Sequence, residues 1–219
     1  MLSCSKIEHY KVLNMSNKDN KHNDMTLELL SAVEADSRIT QRSLANTLGI
    51  ALGLTNSYLK KCIEKGLVKI KQVPANRYAY YLTPSGFTEK SRLTAEYLKA
   101  SFSFYRRAKT DLTNIIDNCY NNNKFRIILS DFSELSEIAT IISLSRDIEL
   151  VGIISNNDNG KVLNNIPVIR NIKTFRKFDA VIITDIYNTK SRYEYLSKII
   201  SPNKIMVPNL ISFENKGDN

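Results

Sequence analysis

Basic and small polar side chains are concentrated between Arg38 and Arg77. This stretch contains eight basic residues and one acidic residue, Glu64, so that its net charge is +7. Lysine and arginine neutralise the phosphates of a nucleic acid, and short polar side chains hydrogen-bond to base edges. The side chains that we predict to contact DNA are Arg42, Ser43, Thr55, Asn56, Ser57, Lys60, Lys61, Lys71, Asn76 and Arg77.

Two short helices joined by a glycine turn are predicted to hold these side chains. Leu44, Ala45 and Leu48 recur at helical spacing and give the first helix one apolar face. Gly49 follows, where a glycine can adopt a left-handed conformation without steric cost. Ile50 then fills the corner between the helices.

The second helix is predicted to run from about Leu52 to Lys65 and to end at Gly66. Its periodicity places one set of residues inward, namely Thr55, Leu59 and Cys62. It leaves another set facing outward, namely Asn56, Ser57, Lys60 and Lys61. A helix with small polar and basic residues on its outer side suits insertion into the major groove.

Two β-prone runs, Val68–Gln72 and Tyr78–Leu82, follow this helix. The turn residues between them predict a hairpin with Arg77 near its tip. A hairpin directly after such a helix pair forms a wing. The pattern therefore predicts a winged helix-turn-helix.

A three-helix domain that contacts only proteins could show the same periodicity. The distribution of charge favours DNA instead. Residues 1–124 contain 19 basic and 11 acidic residues, whereas residues 125–219 contain 12 and 11. The basic excess therefore belongs to the half that contains the predicted winged helix.

The cysteines and histidines do not form a pattern typical of a metal site, a disulfide framework or a catalytic triad. Both histidines, His9 and His22, fall in residues 1–24, a polar segment that we predict to be disordered. We predict no catalytic residue, no metal site and no cofactor, and we expect that the chain is not an enzyme. No apolar run is long enough to cross a membrane, and Met1–Leu13 lacks a signal-peptide core, so we expect a cytoplasmic location.

A long helix is predicted over residues 85–120. Thr83 is a good N-cap and Pro84 is favoured at a first helical position. Apolar residues recur along it at intervals of about three or four residues. They include Leu93, Tyr97, Phe102, Phe104, Tyr105, Ala108, Leu112, Ile115 and Cys119. We expect this helix to form a homodimer, with a break near residues 100–103. The alternative is that its apolar stripe packs on the chain's own C-terminal half.

A series of short motifs runs through the N-terminal part: Ser43-Leu44-Ala45, Leu48-Gly49-Ile50, Leu52-Gly53-Leu54-Thr55-Asn56, Tyr58-Leu59-Lys60, Lys65-Gly66, Tyr81-Leu82-Thr83-Pro84-Ser85-Gly86 and Glu89-Lys90-Ser91-Arg92-Leu93-Thr94. With these motifs the segment from Thr26 to about Leu112 resembles the MarR-type winged-helix regulators, in particular the group associated with exopolysaccharide biosynthesis. The resemblance implies a sequence-specific transcriptional regulator, usually dimeric. Ala51 departs from the pattern, because a serine that caps the second helix is more frequent there.

Strand-like and helical segments alternate over residues 124–210. Strands are predicted at 125–129, 150–154, 166–169, 179–184 and 204–207, with helices from Ser133 to about Leu144 and from Thr189 to Ile200, a helical turn near 172–176 and a loop over 156–165. This alternation predicts a parallel sheet of Rossmann-like form. Residues 127–139 and Leu150–Ile154, leading to Ile166-Pro167-Val168, resemble the small Rossmann-like domains of sugar O-acyltransferases and of CoA- or nucleotide-binding proteins.

The loop after the first of these strands contains no glycine. It reads Ser130-Asp131-Phe132-Ser133-Glu134-Leu135, whereas a dinucleotide loop needs glycines so that backbone amides approach the pyrophosphate. We therefore predict a degenerate scaffold. A ligand pocket in this architecture would lie at the carboxyl ends of the first and fourth strands, and its candidate residues are Ser130, Asp131, Thr184, Asp185 and Tyr187. Such an acidic pocket would favour a polar or cationic ligand, or a sugar hydroxyl.

The predicted fold class is an α+β winged helix-turn-helix over residues 25–84 with a long linker helix, followed by a small α/β Rossmann-like domain. Residues 1–24 and 211–219 are predicted to be disordered tails. The expected function is a dimeric, sequence-specific DNA-binding transcriptional regulator, whose second domain senses an effector or mediates assembly. The alternative is an enzyme or accessory subunit that acts on nucleotides or sugar nucleotides and uses the winged helix for protein contacts.

Overall fold

The chain divides into two units, Met1–Ser103 and Phe104–Asn219. The computed structural model describes residues 18–74, 77–155, 160, 162–175 and 177–212. Each unit has its own hydrophobic core. Among the described residues, no helix combines the length and the apolar composition that a membrane span requires.

The N-terminal unit begins with three helices, α1 (Lys18–Ala35), α2 (Gln41–Leu48) and α3 (Leu52–Glu64). An antiparallel hairpin follows, formed by β1 (Val68–Val73) and β2 (Arg77–Leu82). Apolar residues of all five elements form one core: Leu29, Leu30, Val33, Ile39, Leu44, Leu48, Leu59, Cys62, Leu67, Val68 and Tyr80. The unit is a winged helix-turn-helix, as the periodicity and the turn residues predict.

The turns of this unit confirm two glycine predictions. Gly49 ends α2 with φ 61°, and Gly66 follows α3 with φ 69°, both in the left-handed region. Leu67 then donates its amide to the carbonyl of Cys62 at 2.9 Å. These two positions require glycine because an L-residue with a Cβ is strained there.

Helix α1 starts earlier than the composition predicts. The prediction of disorder over residues 1–24 is wrong for residues 18–24, which are helical, while residues 1–17 lie outside the described part. The ring of His22 stacks on Tyr58 of α3 with centroids 5.1 Å apart, and Thr26 Oγ1 donates to the carbonyl of His22 at 2.9 Å. This tertiary contact places one histidine inside the folded unit.

Helix α4 runs without a break from Pro84 to Asn121, so the predicted break near residues 100–103 is absent. Its first part belongs to the N-terminal unit and its last part to the C-terminal unit. In the C-terminal unit a stripe of the helix is buried within a single chain, namely Phe104, Ala108, Leu112, Ile116 and Cys119. That part of the apolar stripe is therefore occupied by the chain itself and is not free to form a dimer.

The C-terminal unit is an α/β region with a mainly parallel sheet. Its strands are β3 (Arg126–Ser130), β4 (Glu149–Ile154), β5 (Val162–Leu163), β6 (Ile166–Ile169), β7 (Ala180–Ile183) and β8 (Ile205–Met206). The sheet order is β5-β6-β4-β3-β7-β8, and only β5 is antiparallel to its neighbour. Helices α5 (Glu134–Ser143) and α6 (Thr189–Ser197) connect β3 to β4 and β7 to β8.

Three segments of this unit differ from the predictions. Residues 162–163, expected in a loop, form β5, because Asn164 and Asn165 adopt positive φ and turn the chain back onto β6. The predicted helical turn near 172–176 is a 3-10 turn over Ile172–Thr174. Residue 211 closes a last 3-10 turn, Asn209–Ile211, and the rest of the predicted tail from residue 213 lies outside the described residues.

Candidate nucleic-acid interface

The outward side of α3 carries exposed small and basic residues. Ser57, Lys60 and Lys61 are exposed, while Leu59 and Cys62 are buried in the core. Lys60 Nζ lies 3.8 Å from the Glu64 carboxylate one turn on, and both side chains are well exposed. An exposed pair of this kind is weak, so Lys60 remains available to a phosphate.

Two predicted contact residues do not face outward. Thr55 is fully buried and donates its hydroxyl to the Ala51 carbonyl at 3.2 Å, so the prediction that it contacts DNA is wrong. Asn56 is half-buried, and its Oδ1 is enclosed without a hydrogen-bond partner among the described residues. Thr55 shares the inward face of α3 with Leu59 and Cys62, and Asn56 lies next to that face.

The start of α3 lacks a side-chain cap, as the sequence predicts. Ala51 is the N-cap residue and makes no side-chain hydrogen bond. Helix α2 differs, since Thr40 Oγ1 accepts the amide of Ser43 at 3.0 Å. Arg42 and Ser43 follow this cap and are exposed.

The wing presents Lys69 and Lys71 on its exposed side, paired across the hairpin with Tyr81 and Ala79. Its base is held by Tyr80, whose amide donates to the Ser37 carbonyl at 2.8 Å. The Tyr80 hydroxyl also accepts a hydrogen bond from Gln41 Nε2 at 3.1 Å. The wing is therefore fixed to the start of α2. Asn76 and the side chain of Arg77 lie outside the described part of the chain.

A hydrogen-bonded clamp joins the end of α3 to the start of α4. Thr83 Oγ1 donates to the Gly66 carbonyl at 2.6 Å and accepts the Gly86 amide at 3.0 Å. The Thr83 amide donates to the Leu67 carbonyl at 3.1 Å. The sequence predicted only the N-cap role of Thr83. The clamp joins the end of α3 to the start of α4.

Tyr58 is a second contact that the sequence did not predict. Its ring stacks on His22 of α1, and Lys61 Nζ lies 6.0 Å from its centroid. The ring thus holds α1 against α3 and lies beside a predicted phosphate contact. No local signal in residues 18–24 indicates this pairing.

The five candidate pocket residues of the C-terminal unit lie together at one edge of its sheet. Strands β3 and β7 are neighbours, and Ser130 pairs with Ile183 in register. Thr184 Oγ1 donates to the Asp131 carbonyl at 2.8 Å, and Ser133 Oγ donates to the Thr184 carbonyl at 2.7 Å. These bonds fasten the loop after β3 to the end of β7.

The buried polar groups at this edge are imperfectly matched. Ser130 and Thr184 are fully buried, and Ser130 Oγ has no hydrogen-bond partner among the described residues. Asp185 Oδ2 lies 3.7 Å from Arg192 Nε, and its Oδ1 accepts the Tyr187 amide at 3.1 Å. Tyr187 itself is exposed. No cluster of three metal-ligating side chains occurs among the described residues.

Asp131 is strained in both conformation and charge. Its φ is 110°, a region that favours glycine. Burial, with a further contribution from the Asp185 carboxylate, raises the pKa of the Asp131 carboxyl group. The charged form of Asp131 therefore destabilises the folded unit at neutral pH, because a raised pKa means that the folded state binds the proton more tightly.

Replacing Asp131 with glycine should raise the free energy of unfolding by about 1 kcal/mol near neutral pH, since it removes the backbone strain and the charge. Asp131→Asn is the matched control, because it removes the charge and keeps the side chain. The wild type should gain stability relative to this control as the pH falls from neutral towards the ordinary pKa of an aspartate, because the folded state takes up the proton before the unfolded state does. Urea unfolding followed by circular dichroism measures both effects. Equal pH profiles for wild type and Asp131→Asn would show that Asp131 does not titrate as described.

Comparisons with known proteins agree with the geometry of the N-terminal unit. Residues 22–69 match a winged helix-turn-helix DNA-binding family. No curated protein matches the chain significantly. The match covers α1 to the beginning of β1, which is the part that holds the outward residues of α3.

Solved structures of transcription regulators show a partial likeness. The PcaV transcriptional regulator from Streptomyces coelicolor is 18% identical, over 44% of this chain and 71% of that chain, with a TM-score of 0.36. MepR, a transcription regulator of the Staphylococcus aureus multidrug efflux pump MepA, is 15% identical, over 45% of this chain and 77% of that chain, with a TM-score of 0.37. Scores of this size carry no argument about fold or function. The description of the N-terminal unit as a winged helix-turn-helix depends on the family model and on the geometry.

Proposed function

We propose that this chain is a sequence-specific, DNA-binding transcriptional regulator of the MarR type. The observation that carries the proposal is the outward side of α3, where Ser57, Lys60 and Lys61 are exposed beside the exposed Lys69 and Lys71 of the wing. A helix and a wing with an excess of positive charge suit a groove and its flanking phosphates. The match of residues 22–69 to a winged helix-turn-helix DNA-binding family supports the same proposal.

The exopolysaccharide-associated group is the finer part of this proposal. It depends on the motif Tyr81–Gly86 followed by Glu89–Thr94. The clamp formed by Thr83 and Gly86 gives the first motif a physical role, since it joins α3 to α4. In the second motif Arg92 bonds to Glu89 and Glu96 along α4, and Lys90 pairs with Glu34 of α1.

A mobility shift on the DNA upstream of the protein's own gene tests the proposal. The wild type should retard this duplex at low salt and retard it less as salt increases, because bound phosphates release counterions on binding. A random duplex of equal length is the control for sequence preference. If the protein leaves both duplexes unshifted at low salt, the proposal is wrong.

The homodimer is proposed through the part of α4 that remains exposed. Phe87, Leu98 and Phe102 lie on one face of the helix, and Phe102 is 57% exposed. Three large apolar side chains along one exposed helix face favour a partner surface. A second copy of the same chain suits this role, because two recognition helices are needed to read a two-fold symmetric site.

Replacing Phe102 with glutamate should raise the dimer dissociation constant at least about tenfold, since a carboxylate would be buried in the seam. Ala100→Glu adds the same charge to an exposed position on the other side of the helix and should leave the dimer intact. Sedimentation velocity over a concentration series distinguishes the two. A wild type that stays monomeric at high micromolar concentration would remove the dimer from the account.

We propose that the C-terminal unit is a Rossmann-like domain with a sensing or assembly role. Its parallel strands have the order β6-β4-β3-β7-β8, which corresponds to 3-2-1-4-5 in chain order and is typical of doubly wound folds. In such sheets ligands bind where the order reverses, here between β3 and β7. The strain at Asp131 lies at this point, as does the hydroxyl of Ser130, which has no hydrogen-bond partner within the described part of the chain.

Thermal shifts with NADH, CoA, nucleotide sugars and free sugars test the sensing role. A saturable shift that Ser130→Ala or Asp185→Asn abolishes would support a pocket at Ser130, Asp131, Thr184, Asp185 and Tyr187. No shift with any of these ligands would leave assembly as the role of this unit.

A further inference from the structure

The first turn of α3 contains the exposed residues Gly53 and Leu54, neither of which has a polar side chain. Leu54 is 49% exposed, although it is a large apolar residue. It precedes the exposed Ser57 by three positions and the exposed Lys61 by seven. Residues three, four and seven apart share one face of a helix, so Leu54 lies in the same row as the predicted DNA contacts.

Gly53 lies next to Leu54 and is not required by the fold. It is helical, it has no positive φ, and a Cβ added to it would meet no atom within 4 Å. Glycine inside a helix is unfavourable relative to alanine, so the fold alone does not account for it. A missing side chain at this exposed position would allow another surface to approach the backbone of α3 closely.

The base edges of the major groove are the surface that suits Gly53 and Leu54. The first residues of a recognition helix are the ones that reach base edges. Base edges in the major groove present hydrogen-bonding groups and one apolar feature, the 5-methyl group of thymine. Leucine cannot hydrogen-bond through its side chain, so the thymine methyl group is the only complementary feature. Lys60 and Lys61, further along the same outward side, complement the flanking phosphates.

We infer that Leu54 is a specificity-determining residue that contacts thymine 5-methyl groups in the major groove, and that Gly53 permits the approach. This inference rests on the proposed function, because it requires that α3 enters duplex DNA. Its consequence is that binding sites contain thymine at the position facing Leu54, and that the methyl group of this thymine contributes to affinity.

The experiment starts from duplexes that the full-length protein selects from a random-sequence pool. Each selected thymidine is then replaced singly by deoxyuridine, which lacks only the methyl group, and dissociation constants are measured by fluorescence anisotropy. At the thymine facing Leu54 the replacement should weaken binding about fourfold per contacted methyl group. Leu54→Ala should bind the thymine duplex more weakly and should no longer distinguish thymine from uracil.

Leu52→Ala is the matched control. Leu52 is 40% exposed, and it lies two positions from Leu54, which places it on nearly the opposite side of α3. This variant should keep the preference for thymine. Gly53→Leu adds bulk to the outward side, at a position where an added Cβ would meet no described atom within 4 Å outside the backbone of α3 itself. It should weaken binding to every selected duplex while α3 stays folded by circular dichroism.

The outcomes separate the inference from the function on which it rests. If selected duplexes bind equally well with uracil at every position, or if Leu54→Ala keeps the preference, the inference is overturned and DNA binding stands. If no duplex is selected and none is bound at low salt, the proposed function fails, and the inference fails with it.

Discussion

Replacing Lys60 and Lys61 together with alanine should weaken binding to duplex DNA about a hundredfold at moderate salt. Both side chains are exposed on the outward side of α3. Each phosphate contact contributes about 0.9 to the slope of log affinity against log salt, so the slope should fall by about 2 for each bound protomer, and by about 3.6 for the proposed dimer. Fluorescence anisotropy with one labelled duplex, from about 50 to about 300 mM salt, measures both the affinity and the slope.

The matched control removes the same charge from the other unit. Lys190 and Lys198 are exposed at α6, and alanine at both positions should leave the slope unchanged within error. The Lys60–Glu64 pair is exposed and weak, so the variant in α3 should keep the melting temperature of the wild type. An equal loss of slope in both double variants would indicate that binding follows net charge and not the geometry of α3.

Replacing Gly86 with alanine should lower the free energy of unfolding of the N-terminal unit by about 3 kcal/mol. A Cβ at this position would overlap the carbonyl oxygen of Leu67, which is backbone and cannot move aside as a flexible side chain does. The shift would also break the bonds of Thr83 to Gly66 and Gly86. Thermal unfolding, followed by the circular dichroism signal of the helices, measures the loss of stability.

Gly53→Ala is the control for the same chemical change in open space. Among the described residues, no atom outside the backbone of α3 itself lies within 4 Å of a Cβ added to Gly53, so the better helix propensity of alanine should stabilise α3 by at most about 0.5–1 kcal/mol. The two glycines thus predict shifts of opposite sign. If Gly86→Ala melted at or above the temperature of the wild type, the clamp between α3 and α4 would not stabilise the unit.

The centre of the winged helix-turn-helix could be predicted from the sequence because its signals are local. The spacing of Leu44 and Leu48, and the glycine that follows, determine the end of α2 without knowledge of any distant residue. The hairpin was predicted within one residue at each strand, because β-prone runs on both sides of a turn specify their own pairing.

The start of α1 could not be predicted in the same way. Residues 18–24 are polar and predict disorder when taken alone. In the structure they are helical, and His22 among them stacks on Tyr58, which is 36 positions further along the chain. A contact of this kind becomes visible only when both helices are in place.

The candidate site shows the same division between local and tertiary information. Helical spacing placed Ser57, Lys60 and Lys61 on the outward side, and the structure exposes all three. Thr55 lies on the inward face with Leu59 and Cys62, as its spacing indicates, and it is fully buried. Asn56 lies at the margin of the outward face, where the packing of other helices decides exposure, and it is half-buried.

The sequence allowed two partners for the apolar stripe of α4, namely a second copy of the chain or the chain's own C-terminal half. Periodicity predicted a buried face but could not identify what covers it. In the C-terminal unit the stripe from Phe104 to Cys119 is buried within one chain, whereas Leu98 and Phe102 remain exposed in the N-terminal unit. The backbone strain at Asp131 could not be predicted from the sequence either, because nothing in a loop without glycine indicates a positive φ.

Lysine footprinting by mass spectrometry tests most directly whether α3 and the wing meet DNA. The full-length protein is acetylated for a short time with and without a duplex that it binds, and modification is measured at each lysine. Lys60, Lys61, Lys69 and Lys71 should be protected by the duplex, while Lys190 and Lys198 should react at an unchanged rate. Unchanged rates at all four lysines of α3 and the wing, or protection confined to the second unit, would contradict the account.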